Sequence, residues 1–89
     1  MNTEQKCDIL IENWYADGHT SRVEETEIDV PEWDDNLGAY DFDGWWGETV
    51  FPLTGDGHGI DRPNLSSVYT ATVIAGPEWL VGKQHDWSD

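Results

Sequence analysis

The chain has 89 residues, with 19 Asp or Glu against four Lys or Arg, and therefore a formal net charge of −15 at pH 7. This charge nearly excludes direct binding to nucleic acid, which needs clustered basic side chains, and it argues equally against an anionic membrane surface. The length fits a single domain spanning residues 1–89, which is too small for a large catalytic cleft.

The aromatic content indicates that the chain folds in spite of its charge. Low hydrophobicity with high net charge is typical of disordered proteins, and only 37% of the residues are hydrophobic. However, the chain has six Trp, three Tyr and two Phe, and each such side chain can bury about 150–250 Å². The single cysteine, Cys7, is expected to be a buried free thiol. With no signal-peptide pattern and no run of about 20 apolar residues, the sequence predicts a soluble, cytoplasmic protein.

The first two predicted elements form a β-hairpin. Cys7–Tyr15 is rich in strand-forming residues, and Asp17-Gly18 after it is a strong turn signal. The alternation in Arg22–Val30 predicts a partner strand with Ile28 and Val30 facing inward. Three carboxylates of that strand are then expected to point outward in one row: Glu25, Glu27 and Asp29.

The middle of the chain predicts a short helix and long loops. Pro31 can begin a helix of at most two turns, with acidic residues in its first turn and Gly38 at its end. From Ala39 to Pro63 the sequence is dense in Gly, Asp and aromatic residues, which indicates loops interrupted by a short strand near Thr49–Leu53.

The last third of the chain contains the clearest strand. Ser66–Ala75 alternates strongly and is expected to lie in the centre of a sheet. Gly76-Pro77 ends it, Trp79–Val81 predicts a final short strand, and a polar tail follows from Lys83. The predicted fold class is therefore α+β and strand-dominated, with a small antiparallel sheet, a short helix and a long acidic insertion packed by tryptophans.

Charge segregation is the most informative feature of the sequence. No Lys or Arg occurs in the 39 residues from Val23 to Asp61. Carboxylates on one face of a strand repeat every ~6.6 Å, and duplex DNA presents phosphates every ~3.4 Å per strand. A row of acidic side chains could therefore match every second phosphate. The twelve acidic residues of this segment are Glu24, Glu25, Glu27, Asp29, Glu32, Asp34, Asp35, Asp41, Asp43, Glu48, Asp56 and Asp61.

Tryptophans within this segment are candidate anchors for a partner. Trp45 and Trp46 are adjacent and point to opposite sides if the backbone is extended, so one of them is expected to be exposed. An exposed Trp beside carboxylates is typical of an interface hot spot. Trp33 is a third candidate, and aromatic platforms beside Asp and Asn also occur in carbohydrate-binding modules.

Catalytic and metal-binding patterns are weak. Asp41 to Glu48 and Asp56 to Asp61 both supply oxygens near glycines, but neither meets the EF-hand spacing. The three histidines, His19, His58 and His85, lack metal-ligand spacing, and no nucleophile motif surrounds Cys7 or the serines. We therefore expect no catalytic residue, no metal ion and no cofactor.

In size, acidity and absence of a catalytic motif, the sequence resembles the small inhibitors of phages and other mobile elements: anti-CRISPR proteins and DNA-mimic anti-restriction proteins. The resemblance implies a non-enzymatic inhibitor whose carboxylates occupy the basic DNA-binding surface of a bacterial defence complex, a CRISPR effector first and a restriction enzyme next. An alternative is a salt-adapted (halophilic) or Ca²⁺-stabilised β-domain with a binding role, in which acidity serves solubility. The candidate partner-binding residues are Glu24, Glu25, Glu27, Asp29, Glu32, Asp34, Asp35, Asp41 and Asp43, with Trp33, Trp45 and Trp46 as anchors.

Overall fold

A four-stranded antiparallel sheet in the order β2-β1-β5-β6 forms the frame of the molecule. The computed structural model describes residues 5–58 and 64–88. Strands make up 48% and helices 15% of it, which confirms the strand-dominated α+β class. The elements in chain order are β1 (Lys6–Tyr15), β2 (Thr20–Asp29), β3 (Trp33–Asp34), β4 (Ala39–Tyr40), helix α1 (Phe42–Trp45), a π-helical turn (Trp46–Val50), a 3-10 turn (Phe51–Leu53), β5 (Ser67–Ala75) and β6 (Gln84–Ser88).

The long strands follow the prediction closely. β1 and β2 form the expected hairpin, and Gly18 adopts a φ of +96° in its turn, a conformation that glycine reaches without steric cost. β5 lies between β1 and β6, which confirms that this strand is central.

The carboxylates of β2 do not form the predicted row. β1 advances by two residues, from Cys7 to Ile9, while its partner in β2 moves by three, to Glu25. Glu27, within this bulge, has a φ of +59°. Residues directly opposite each other on neighbouring strands share a face, so Glu25 lies on the same face as the fully buried Ile9. The prediction of one evenly spaced outward row of Glu25, Glu27 and Asp29 is therefore wrong, because the bulge breaks the alternation.

A small β-hairpin replaces the helix predicted after Pro31. Trp33 pairs with Tyr40 across β3 and β4, and the Tyr40 ring stacks on Trp79 with centroids 4.2 Å apart. The Asp34 carboxylate accepts the backbone N–H of Asn36 in the turn at 2.8 Å. The helix prediction is wrong because it used local signals, whereas an aromatic contact with a residue more than thirty positions away fixes this segment.

The strand predicted at Thr49–Leu53 is also wrong, because this stretch is helical. Asp41 caps α1 by accepting the backbone N–H of Gly44 at 3.0 Å. The π-helical turn and the 3-10 turn then continue directly to Leu53. The succession of short helical turns places the side chain of Val50 completely inside the core.

Two predictions for the end of the chain are wrong: the predicted strand is a turn, and the predicted polar tail contains a strand. Trp79–Val81 is a turn rather than the predicted strand, since the N–H groups of Leu80 and Val81 donate to the Pro77 carbonyl at 2.9 and 3.1 Å. The predicted polar tail instead forms β6, which pairs with β5. β6 has only five residues and is mostly polar, so its sequence shows no alternation of apolar and polar residues that would have predicted a strand.

The core lies on one face of the sheet. Ile28 and Val30 pack against it as predicted. Helix α1 and the π-helical turn contribute the rings of Trp45 and Trp46 to this core. Cys7 is only 2% exposed, which confirms the expected buried thiol, and burial together with Asp8 and Asp29 raises its pKa to about 11. The residues of the core are Cys7, Ile9, Ile11, Trp45, Trp46, Val50, Ala71, Val73 and Leu80.

Candidate functional site

Four carboxylates from separate elements of the chain line one shallow cleft. Asp29 at the end of β2, Glu32 before β3, Asp41 at the cap of α1 and Glu48 in the π-helical turn line a cavity of about 240 Å³. The wall between them includes Trp45, whose indole N–H donates to the Asp29 carbonyl at 2.6 Å. Three of these four carboxylates belong to the predicted contact set, so residues distant in sequence share one acidic concavity.

All nine predicted contact carboxylates lie at or near the surface. The exposed residues are Glu24, Glu27, Asp29, Glu32, Asp35 and Asp43, and the half-buried ones are Glu25, Asp34 and Asp41. Asp61, also within the acidic segment, lies outside the described residues.

Four of the nine carboxylates have partners within the protein. Asp29 forms an ion pair with Lys6, Asp34 binds backbone N–H groups of its own turn, Asp35 accepts the Trp33 indole N–H at 3.0 Å, and Asp41 caps α1. The carboxylates of the other five make no hydrogen bond or ion pair within residues 5–58 and 64–88, and all of these except Glu25 are exposed: Glu24, Glu25, Glu27, Glu32 and Asp43.

Of the three predicted anchor residues, only Trp33 is exposed. Trp33 is 57% exposed and lies within the acidic hairpin β3–β4. Trp45 and Trp46 are only 5% and 7% exposed, so the expectation that one of them is exposed is wrong. It assumed an extended backbone, whereas the helical backbone packs both rings into the core. Leu37, at 62% exposure in the hairpin turn, is an exposed apolar side chain that the sequence analysis missed.

A second cluster joins two distant copies of the tripeptide Asp-Gly-His, at residues 17–19 and 56–58. In each copy the aspartate accepts the backbone N–H of its own histidine, at 3.1 and 2.9 Å. The imidazoles then cross over: Nε2 of His19 lies 2.9 Å from Oδ2 of Asp56, and Nε2 of His58 lies 2.7 Å from Oδ2 of Asp17. The two rings stack with centroids 3.9 Å apart. The repeated tripeptide is the sequence signal that could have revealed this pairing.

Hydroxyl groups complete the Asp-Gly-His cluster. The Ser21 hydroxyl donates to Asp56 at 2.6 Å and the Tyr15 hydroxyl at 2.9 Å. These bonds hold the pKa of the Asp56 carboxyl well below its usual range, with Ser21 as the largest cause. The pKa of the Tyr15 hydroxyl is raised to about 12, mainly because the hydroxyl is removed from water.

The geometry of this cluster favours a structural role over nucleophilic catalysis. The Ser21 hydroxyl donates to a carboxylate rather than to an imidazole, which is the base that activates serine nucleophiles. Each imidazole reaches a different carboxylate, so the nitrogens do not converge. Within the described part of the chain, no group of three or more His, Cys, Asp or Glu side chains is arranged to hold a metal ion.

Comparison with known proteins adds no relative. A scan against protein-family models, a search of curated proteins and a search of solved structures each gave no match. The helices found among residues 5–58 and 64–88 are all too short to cross a bilayer.

Proposed function

We propose that this protein is a non-enzymatic inhibitor that acts as an acidic DNA mimic. It occupies the basic DNA-binding surface of a bacterial defence complex, a CRISPR effector first and a restriction enzyme next, in the cytoplasm of the host cell. The carrying observation is the set of four exposed carboxylates that have no partner among the described residues: Glu24, Glu27, Glu32 and Asp43. They lie in a segment that contributes no positive charge, and a basic groove that normally holds phosphates attracts such a surface.

The distribution of the basic side chains supports this proposal. Lys6 pairs with Asp29 at the end of β2, and Arg22 of β2 lies directly opposite Glu12 on the neighbouring strand β1. The Lys83 ammonium sits over the Phe42 ring, 5.2 Å from its centroid. Among the three cations of the described residues, Lys6 alone forms a salt bridge with a predicted contact carboxylate, so the negative potential of this region is largely uncompensated.

The bulge in β2 changes the form of mimicry that we propose. An evenly spaced row of carboxylates would copy the phosphate repeat, but Glu25 lies on the covered face of the sheet. The acidic cleft instead concentrates four carboxylates from separate elements in one concavity. Charge density over a surface, rather than a linear match to one DNA strand, therefore provides the complementarity.

Charge reversal with a matched control tests this function. Glu27→Lys/Glu32→Lys/Asp43→Lys changes exposed carboxylates of the proposed contact surface, and Glu12→Lys/Glu78→Lys/Asp86→Lys changes three exposed carboxylates elsewhere. Both variants change the formal charge from −15 to −9, since each substitution adds two charges. Close interfacial charge pairs couple by about 1.5–7 kcal/mol, so the first variant should lose at least about tenfold in affinity.

The readout is displacement of labelled duplex DNA from a purified, guide-loaded CRISPR effector complex and from a purified restriction enzyme. The control variant should remain within about threefold of the unmodified protein, because net charge alone steers association more weakly than contact charges do. Equal losses in both variants would show that the proposed surface has no special role. Far-ultraviolet circular dichroism verifies that both variants remain folded.

A further inference from the structure

The β3–β4 hairpin carries the two most exposed large apolar side chains of the described residues, Trp33 in β3 and Leu37 in the turn. Leu37 is 62% exposed and Trp33 is 57% exposed, and the two are four residues apart in the sequence of this hairpin. Large apolar side chains exposed close together commonly mark an interaction surface. We call this pair the apolar plug.

The backbone beneath the apolar plug is held by its own turn. The N–H groups of Leu37 and Gly38 donate to the Asp34 carbonyl at 3.1 and 2.9 Å, and the Asp34 carboxylate accepts the N–H of Asn36. Gly38 closes the turn at a φ of +65°. Because the turn is ordered before binding, less conformational entropy is lost when a partner covers it.

The Trp33 side chain is prepared for burial. Its indole N–H already donates to Asp35 at 3.0 Å, so an apolar pocket could cover the ring without leaving a donor unsatisfied. The ring also packs edge-on against Tyr40, with centroids 5.3 Å apart, and Tyr40 in turn stacks on Trp79. Trp79 packs against the core, so the exposed ring is anchored to the body of the molecule.

The charges around the apolar plug define its partner. Glu32 and Asp35 are exposed beside Trp33, and Asp34 is half-buried in the turn below Leu37. A purely apolar partner surface would desolvate these carboxylates without compensation, which is costly. We propose that the apolar plug inserts into an apolar pocket bordered by Lys or Arg on the same target whose DNA-binding surface the carboxylates occupy. This inference rests on the proposed function.

Two separable contributions to affinity follow. Carboxylates that contact basic side chains give binding that weakens as salt concentration rises, whereas burial of an apolar side chain is much less sensitive to salt between 50 and 400 mM NaCl. Loss of the apolar plug therefore lowers affinity by a similar factor at every salt concentration, and loss of the carboxylates lowers the salt dependence itself.

The test compares Trp33→Ala and Leu37→Ser with Trp14→Ala and Ile74→Ser, whose native side chains are 46% and 41% exposed. Affinity for the purified, guide-loaded CRISPR effector complex and for the restriction enzyme is measured at several salt concentrations. For a buried aromatic hot spot we expect Trp33→Ala to weaken binding about 30-fold at each concentration. The two control variants should stay within about threefold, and thermal unfolding verifies that all four variants are folded.

The outcomes separate the apolar plug from the mimicry. If Trp33→Ala and Leu37→Ser bind as tightly as the controls while Glu27→Lys/Glu32→Lys/Asp43→Lys loses binding, the proposed role of the apolar plug is wrong and the proposed DNA mimicry is supported. If the unmodified protein displaces no DNA, the proposed function fails and this inference fails with it. If light scattering shows a dimer that Trp33→Ala converts to a monomer, a second copy of this chain occupies the plug and the inference is overturned.

Discussion

Asp56 connects four parts of the chain within the Asp-Gly-His cluster. Its carboxylate binds the hydroxyls of Tyr15 and Ser21 and the imidazole of His19, and it also accepts the backbone N–H of His58. These partners come from β1, β2, the hairpin turn and the loop after Leu53. One carboxylate therefore fastens that loop to the turn end of the first hairpin.

Ser21→Ala should weaken this attachment in a pH-dependent way. The folded protein holds the pKa of Asp56 below its unfolded value, so the network stabilises the fold fully above about pH 4 and loses this stabilisation as pH falls toward the lowered pKa. The substitution removes the largest cause of the lowering. We expect a loss of about 1 kcal/mol in the free energy of unfolding at pH 7, since the carboxylate stays partly in water.

Urea unfolding between pH 2 and pH 7 measures this effect. The difference between Ser21→Ala and the unmodified protein should narrow as pH falls below about 4. Ser66→Ala, which changes an exposed serine beside the same sheet, serves as the control and should show no such narrowing. A difference that stays constant over the whole pH range would contradict the assigned role of Asp56.

Single side chains were predictable from the sequence where local chemistry determined them. The buried thiol of Cys7 and the inward side chains of Ile28 and Val30 followed from composition and alternation. The stacking of His19 on His58 did not, because it depends on a contact across 39 positions of sequence. The burial of both Trp45 and Trp46 was also missed, since it depends on a helical backbone that no local pattern indicated.

Gly76, at the end of β5, marks a close approach between strands. It has a φ of +138°, and a Cβ there would lie 2.9 Å from the Cβ of Cys7 and 3.3 Å from its Cα. The Cys7 backbone belongs to the central strand β1 and cannot retreat easily. Glycine at this position is therefore required both by the backbone conformation and by the contact.

Gly76→Ala should destabilise the fold by about 2–4 kcal/mol, which combines backbone strain with overpacking. Gly82→Ala is the matched control, because Gly82 also has a positive φ, +93°, but a Cβ there meets no atom within 4 Å. The control should lose only about 1 kcal/mol. Thermal or urea unfolding gives both values, and equal losses would show that the contact with Cys7 carries no cost.

Among the elements, long strands were predictable and short ones were not. β1, β2 and β5 each have nine or ten residues, enough for alternation to be read. β3 and β4 have two residues each, and their pairing depends on the stacking of Tyr40 on Trp79. The bulge opposite Asp8 likewise leaves no mark in the local pattern, yet it decides which carboxylates of β2 face solvent.

The molecule as a whole combines a one-sided core with a strongly negative surface. Its dimensions are 47 × 25 × 18 Å, so the long axis spans about 14 phosphate steps of ~3.4 Å along one DNA strand. The net charge and the cation-free segment were readable from the sequence. Trp33 was also named as an anchor, but the acidic cleft and the exposed Leu37 were not predicted, since both depend on how the insertion folds.

Competition with DNA tests the central claim most directly. A guide-loaded CRISPR effector complex, or a restriction enzyme, is titrated with this protein in the presence of labelled duplex DNA at about 150 mM salt, and complexes are resolved by native mass spectrometry. Mimicry predicts that DNA and the protein exclude each other, and that the protein's apparent affinity falls in proportion to the DNA added. A ternary complex that contains the defence complex, the DNA and this protein together would contradict the account.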